Sequence, residues 1–196
     1  MPRAGLGAAA VTACAAALAD EVGLPALSMG AVADRLGVKT PSLYKHVDGL
    51  ADLTHRIALL GMAELGDAVG EATQGRSGRD ALLAAARAMR RFVLEHPGRY
   101  AATISAPTAG PDDPFTAVSE RTLRSFGSVL HGYHLGPEDA VHALRTVRSV
   151  LHGFVTLEAA GGFRYATEVD ESVAGGLLTV TVRPWLVVNG DVAREI

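Results

Sequence analysis

Ser28–Val47, SMGAVADRLGVKTPSLYKHV, decides how the chain is to be read. A serine that can cap a helix precedes apolar Val32, Ala33 and Leu36, and Gly37-Val38 then breaks the run. Thr40-Pro41 supplies a hydroxyl followed by a proline in a first turn, where a missing amide proton costs nothing, so a second short helix is expected from Pro41 to about Val47. Leu43 and Val47 are four apart and apolar, which gives that helix an inward face; Ser42, Lys45 and His46 project elsewhere. Upstream, Leu6, Ala10, Ala13 and Ala17, with Val11 and Leu18, describe overlapping faces of a helix that Gly23 closes. Three helices inside fifty residues, the last two joined by a glycine-containing turn, form a helix-turn-helix arrangement.

Outward from this module the pattern stays helical. Leu53, Ile57, Leu60 and Leu65 mark a long helix from Leu50 to about Glu71, a rigid connection to the rest of the chain; Thr73 to Gly78 reads as a loop. Further helices are expected over about Asp80–Glu95, Arg99–Ser105, Phe115–Gly132 and Pro137–Gly161, the last opened by Pro137-Glu138-Asp139, a proline and two acids suited to the amide end of a helix. Val169–Trp185 is read as a final helix although Thr179-Val180-Thr181-Val182 alternates as a strand would, because a lone strand without partners leaves its backbone unsatisfied. The expected fold is all-α: an N-terminal three-helix helix-turn-helix domain over residues 1–49, and a C-terminal helical ligand-binding and dimerisation domain over residues 50–196.

Composition sets the limits. The 196 residues are 48% hydrophobic and 20% charged, a compact globular balance. Asp20, Glu21, Arg56, Glu64 and Asp67 interrupt every run that approaches a membrane span, and Asp20-Glu21 also argues against a signal segment after Met1-Pro2-Arg3. No membrane association is expected. The single cysteine, Cys14, has no partner for an intramolecular disulfide and sits among Val11, Ala15 and Leu18 as a small buried residue would, which favours the cytoplasm. A formal net charge of -3 means that affinity for nucleic acid must come from a docked helix and a few placed donors, not a uniformly basic surface.

The stretch Gly23–Val47, with the residues around it from about 6 to 60, resembles the DNA-binding domain of the TetR family of repressors. The resemblance implies that the helix starting near Thr40 enters the major groove and that Lys39, Thr40, Pro41, Ser42, Tyr44, Lys45 and His46 face the DNA, with Leu43 and Val47 holding the helix on its module. The chemistry of these residues suits that task. Tyr44 can place its hydroxyl on a phosphate, Lys45 can reach a phosphate or a guanine edge, and Pro41 with the Thr40 methyl can touch a thymine methyl. Arg3 can act as an arm near the backbone, and Ser28 with its helix-start amides can meet a phosphate. The family usually places a polar cap and a basic residue at the start of the fourth helix; here Gly49 and Leu50 stand there, and Asp48 is the available cap.

His96-Pro-Gly-Arg-Tyr-Ala-Ala-Thr103 and Leu151-His-Gly-Phe-Val-Thr-Leu-Glu-Ala-Ala-Gly-Gly-Phe163 resemble the C-terminal domain of a branch of that family named after a Trp-His-Gly motif, with Leu151 in the place of the tryptophan. By that resemblance the last two long helices pair with those of a second copy, and the other helices enclose a ligand cavity. Gly153, Ala159, Ala160, Gly161 and Gly175-Gly176 permit close helix approach, while Val150, Phe154, Leu157, Leu177 and Leu178 supply apolar area; an intrachain core would leave the same pattern. Candidate cavity residues are Met62, Leu65, Leu83, Met89, Phe92, Tyr100, Ile104, Phe126 and Leu130, with His131, His134, Arg148 and His152 as polar contacts, which suits a mainly apolar or aromatic effector. No catalytic residue, cofactor or metal is expected: Cys14 has no evident base, the acids are scattered, and His131 and His134 alone, three apart, make a poor metal site. The resulting expectation is a repressor that binds a near-palindromic operator as a homodimer and is released by a small molecule, with activation or ligand-independent binding as the alternative.

Overall fold

The computed structural model describes residues 6–106 and 110–163. Among them every regular element is helical: α1 (Ala8–Val22), α2 (Met29–Leu36), α3 (Thr40–Leu43), α4 (Leu50–Thr73), α5 (Gly78–Glu95), α6 (Pro97–Ser105), α7 (Pro114–Ser128) and α8 (Pro137–Ala159), with 3-10 turns at Leu24–Ala26 and Val129–Tyr133. No helix among the described residues is long and apolar enough to cross a membrane. The final helix expected over Val169–Trp185 lies outside the described residues, as do Arg3 and the glycines and leucines at 175–178.

Chain contacts divide the protein into two compact units, residues 1–65 with 95–120, and residues 66–94 with 121–196. In the first, Val11, Ala15 and Ala19 of α1, Val32 of α2, Leu43 of α3, Val47, Leu53 and Ile57 are almost wholly removed from solvent and share one core with Ala102 and Phe115. Gly23 closes α1 at φ 84°, and its N–H donates to the Ala19 carbonyl at 2.9 Å. Ser28 caps α2 as its sequence demands, its Oγ accepting from the Ala31 N–H at 3.2 Å, and Gly37 ends that helix at φ 65°, in the left-handed region that glycine enters without steric cost.

The same unit contains a clasp between α1, α4 and α6. The Asp20 carboxylate accepts the Arg99 N–H at 2.9 Å, faces Arg99 Nε at 3.1 Å and lies 3.3 Å from His96 Nδ1; Arg99 also donates to Glu64 of α4 at 3.0 Å. Nε is close enough to pair with Asp20 but poorly aligned as a donor, so at that atom the attraction is mainly between the charges. Gly98, one residue earlier, lets the α6 backbone lie directly on the Ala19 carbonyl.

In the second unit α5 buries Leu82, Ala85, Ala86, Met89, Phe92 and Val93, and α8 buries a single stripe, Ala143, Val147, Leu151 and Val155. Arg90 joins the two helices by donating two hydrogen bonds to the Glu158 carboxylate, from Nε at 2.7 Å and Nη2 at 2.6 Å. The helix expected to run to Gly132 gives way at Ser128 to the 3-10 turn, where Gly132 packs so closely on Gly78 that an added Cβ would lie 3.0 Å from the Gly78 nitrogen. Leu151, which stands in the tryptophan's place, is 1% exposed, so that position belongs to the core.

Candidate nucleic-acid interface

The recognition segment is shorter than its sequence suggests. α3 covers only Thr40–Leu43, and residues 44–46 continue as turn rather than helix, held by His46 N–H to Leu43 O at 2.8 Å and Val47 N–H to Leu43 O at 3.1 Å. The N-cap is Lys39, without a side-chain cap bond, so the Thr40 hydroxyl expected to cap the helix sits in its first turn instead. Isolated helices of such length do not persist in water; what fixes this one is burial of Leu43 at 0% and Val47 at 2% exposure against the core.

That anchoring leaves the other side chains outward. Lys39, Pro41, Tyr44, Lys45 and Ser28 are exposed, while Thr40, Ser42 and His46 are half-buried. The Tyr44 ring edge passes over Gly49, whose φ of 112° carries the backbone into α4. At the start of α4 the capping differs from expectation: Asp52 reaches back and accepts the Asp48 N–H at 2.9 Å. Asp52 also takes Arg56 Nε at 2.9 Å. Burial alone would raise the Asp52 pKa, but the Arg56 and Asp48 bonds, with the nearby charges of Arg56 and His55, hold it below the ordinary carboxylate value.

The charges around this surface are sorted. Arg35 is forked onto Glu21 at 2.5 Å for both bonds, and Glu21 is held below its usual pKa by that pairing, while Arg56 is committed to Asp52. Lys39 and Lys45 have no ion pair among the described residues, so they remain available to an anion. Cys14 behind this surface is half-buried, and desolvation raises its thiol pKa more than Arg35 lowers it, which keeps it a neutral packing group.

Of the candidate effector residues, Met62, Leu65, Tyr100 and Ile104 lie in the first unit, the first three buried and Ile104 48% exposed. Leu83, Met89, Phe92, Phe126, Leu130, His131, His134, Arg148 and His152 lie in the second. There Met89, Phe92, Phe126 and Leu130 are buried, Leu83 and His152 half-buried, and His131, His134 and Arg148 exposed. Sequence reasoning missed the Asp20–His96–Arg99–Glu64 clasp, because its members come from three helices far apart in the chain. It also missed the Arg35–Glu21 pair.

A short glycine-broken corner with a buried anchor and an outward row of lysine, tyrosine and hydroxyl groups defines a helix-turn-helix DNA-binding regulator. The comparisons agree. Residues 11–53 match the bacterial regulatory proteins of the tetR family, and residues 82–180 match a tetracyclin repressor-like C-terminal domain, a span that contains both C-terminal stretches quoted above. The chain is 32% identical over 180 residues to the HTH-type transcriptional regulator YobS of Bacillus subtilis, covering 91% of this chain and 92% of that one. It is 37% identical over 142 residues to the HTH-type transcriptional regulator Rv0681 of Mycobacterium tuberculosis, covering 72% of this chain and 65% of the relative, just under two thirds of the latter's length. Among solved structures, a TetR variant from Acinetobacter baumannii AYE in complex with minocycline shares the fold, with a TM-score of 0.66 at 23% identity over 97% of this chain and 100% of that one. The chain belongs to the TetR family and is a transcriptional regulator of the helix-turn-helix type.

Proposed function

We propose that the protein is a cytoplasmic homodimeric repressor that sets two copies of the Lys39–His46 segment into successive major grooves of a near-palindromic operator and is released by a small, mainly apolar or aromatic effector. The observation that carries this reading is the sorting of the recognition segment, with Leu43 and Val47 wholly inward and Lys39, Pro41, Tyr44 and Lys45 outward. Lys39 and Lys45 would supply the phosphate and guanine contacts, Pro41 and Thr40 the thymine methyl contact, Ser42 and His46 adaptable hydrogen bonds, and Arg3 and Ser28 flanking backbone contacts. Residues 1–49 would act as the DNA-binding domain and residues 50–196 as the sensing and pairing domain. The exposed Val141 and Leu157 of α8 favour pairing through that helix. The minocycline bound in the Acinetobacter structure supports effector binding, here among Met89, Phe92, Phe126, Leu130 and the other candidates of the second unit. A hundredfold loss of operator affinity needs only about 2.7 kcal/mol of difference in effector binding between the two states, with α4 as the lever.

The test is selection of duplexes from a random library at physiological salt, followed by titration of the recovered site with variants. A shared near-palindrome is expected. Tyr44→Ala and Lys45→Ala should each weaken binding to it by about 1–3 kcal/mol without dissociating the dimer; unchanged affinity in both would reject the assigned DNA face. Lys39 and Lys45, which have no ion pair among the described residues, should give the dimer a slope of about -4 in log affinity against log salt, the assigned Arg3 contact should add about -2, and Lys45→Ala in both protomers should flatten the total by about 2. A slope of twice that size would place further cations on the DNA.

A further inference from the structure

The C-terminal end of α4, the turn after it and one stripe of α5 enclose a groove of about 300 Å³, lined by Ala72, Arg76, Asp80, Leu83, Ala84, Arg87, Ala88 and Arg91. Its floor is apolar, from Ala72, Leu83, Ala84 and Ala88, and its rim carries three guanidinium groups against one carboxylate. None of Arg76, Arg87 and Arg91 has an ion pair or hydrogen bond from its guanidinium to a described residue. This is a local excess of positive charge on a chain whose net charge is -3.

The groove stands on fixed backbone. Gly75 at φ 72° and the bond from Arg76 N–H to Thr73 O at 3.0 Å hold the turn that carries Arg76. Arg90, tied to Glu158, sets the rotation of α5, and from that rotation Arg87 and Arg91, one helical turn apart, share the groove side. Two guanidinium forks at that spacing match the geometry of a carboxylate or phosphate, and the apolar floor between them and Arg76 matches a short hydrocarbon tail. The volume suits a small molecule, at the lower end of ligand sites; a polyanion such as DNA would need a continuous basic track without an apolar floor.

We infer that this groove is a binding site for a small amphipathic oxyanion, its charged head held by Arg87 and Arg91 and its tail laid on Leu83 and the alanines. The site shares Leu83 with the candidate effector residues, but its test reads binding alone and stands whether or not the effector reading holds. It is tested by isothermal titration of the full chain with hexyl phosphate, heptanoate, inorganic phosphate and hexanol, in the native protein and in an R87A/R91A double variant. One site per chain is expected for hexyl phosphate or heptanoate, the tighter of the two identifying the headgroup. Inorganic phosphate should bind at least tenfold more weakly, because it leaves the floor uncovered. The double variant should lose at least tenfold in affinity for the amphipathic anion with an unchanged melting temperature, since both side chains are exposed. Equal affinity in native protein and variant, or hexanol binding as tightly as hexyl phosphate, overturns the assignment.

Discussion

Gly98→Ala should lower the melting temperature of this protein more than any other single methyl addition to its described glycines. The Cβ would overlap the Ala19 carbonyl group and crowd the Asp20 nitrogen, and backbone, unlike the end of a side chain, cannot rotate away. α6 would have to lift off α1. Lifting it also stretches the bonds from Arg99 and His96 to Asp20, so an overpacking cost is compounded by a partly buried carboxylate losing its partners. The expected destabilisation is about 3 kcal/mol or more, which for a chain of this size is a fall of roughly 6–12 °C in the thermal midpoint. Gly66→Ala is the contrast: its nearest new contact would be the Thr122 side chain at 2.6 Å, with backbone no closer than 3.4 Å, and the loss should be smaller. Calorimetry of the two variants checks this. A Gly98→Ala protein that melts like the native one would mean that α1 and α6 do not approach as described.

Leu43→Ala should abolish operator binding without touching any side chain assigned to the DNA. Leu43 is 0% exposed and is the main anchor of a four-residue helix whose N-cap makes no side-chain bond. Removing it leaves a cavity costing about 2–5 kcal/mol. So short a helix has no intrinsic stability to fall back on, so the backbone that positions Lys39 to His46 loosens with it. Tyr44→Ala, one residue later and 56% exposed, should leave stability within about 0.5 kcal/mol while weakening DNA binding. Urea unfolding paired with titration of the selected duplex separates the two. If Leu43→Ala bound DNA with native affinity, the recognition segment would be held by something other than this anchor.

The wide groups of features readable in the sequence are those with local causes. Ser28 caps α2 and Gly37 ends it because a hydroxyl three residues before an amide, and a glycine free to take positive φ, act within a single turn. The inward pair Leu43 and Val47 follows from spacing alone. Where the sequence reading went astray, the cause was distance or competition. Residues 44–46 carry a helix-compatible pattern, yet the chain leaves the helix at Leu43 to enter α4 through Gly49 at φ 112°. Thr40 looks like a cap because a hydroxyl stands before a proline, but the helix begins at Thr40 itself.

The sequence by itself determined that the chain is helical, where a glycine-broken helical corner lies, and which of its side chains are apolar anchors, since these depend on periodicity and on bonds between near neighbours. Only the tertiary structure decided that Asp20 would meet Arg99 and His96, that Glu21 would neutralise Arg35 and leave Lys39 and Lys45 as the available cations of the recognition surface, and that Arg76 would join Arg87 and Arg91 around one groove. Those pairings join charges separated by up to seventy-nine positions in the chain, and an ionic side chain carries no mark of which distant partner packing will bring within reach.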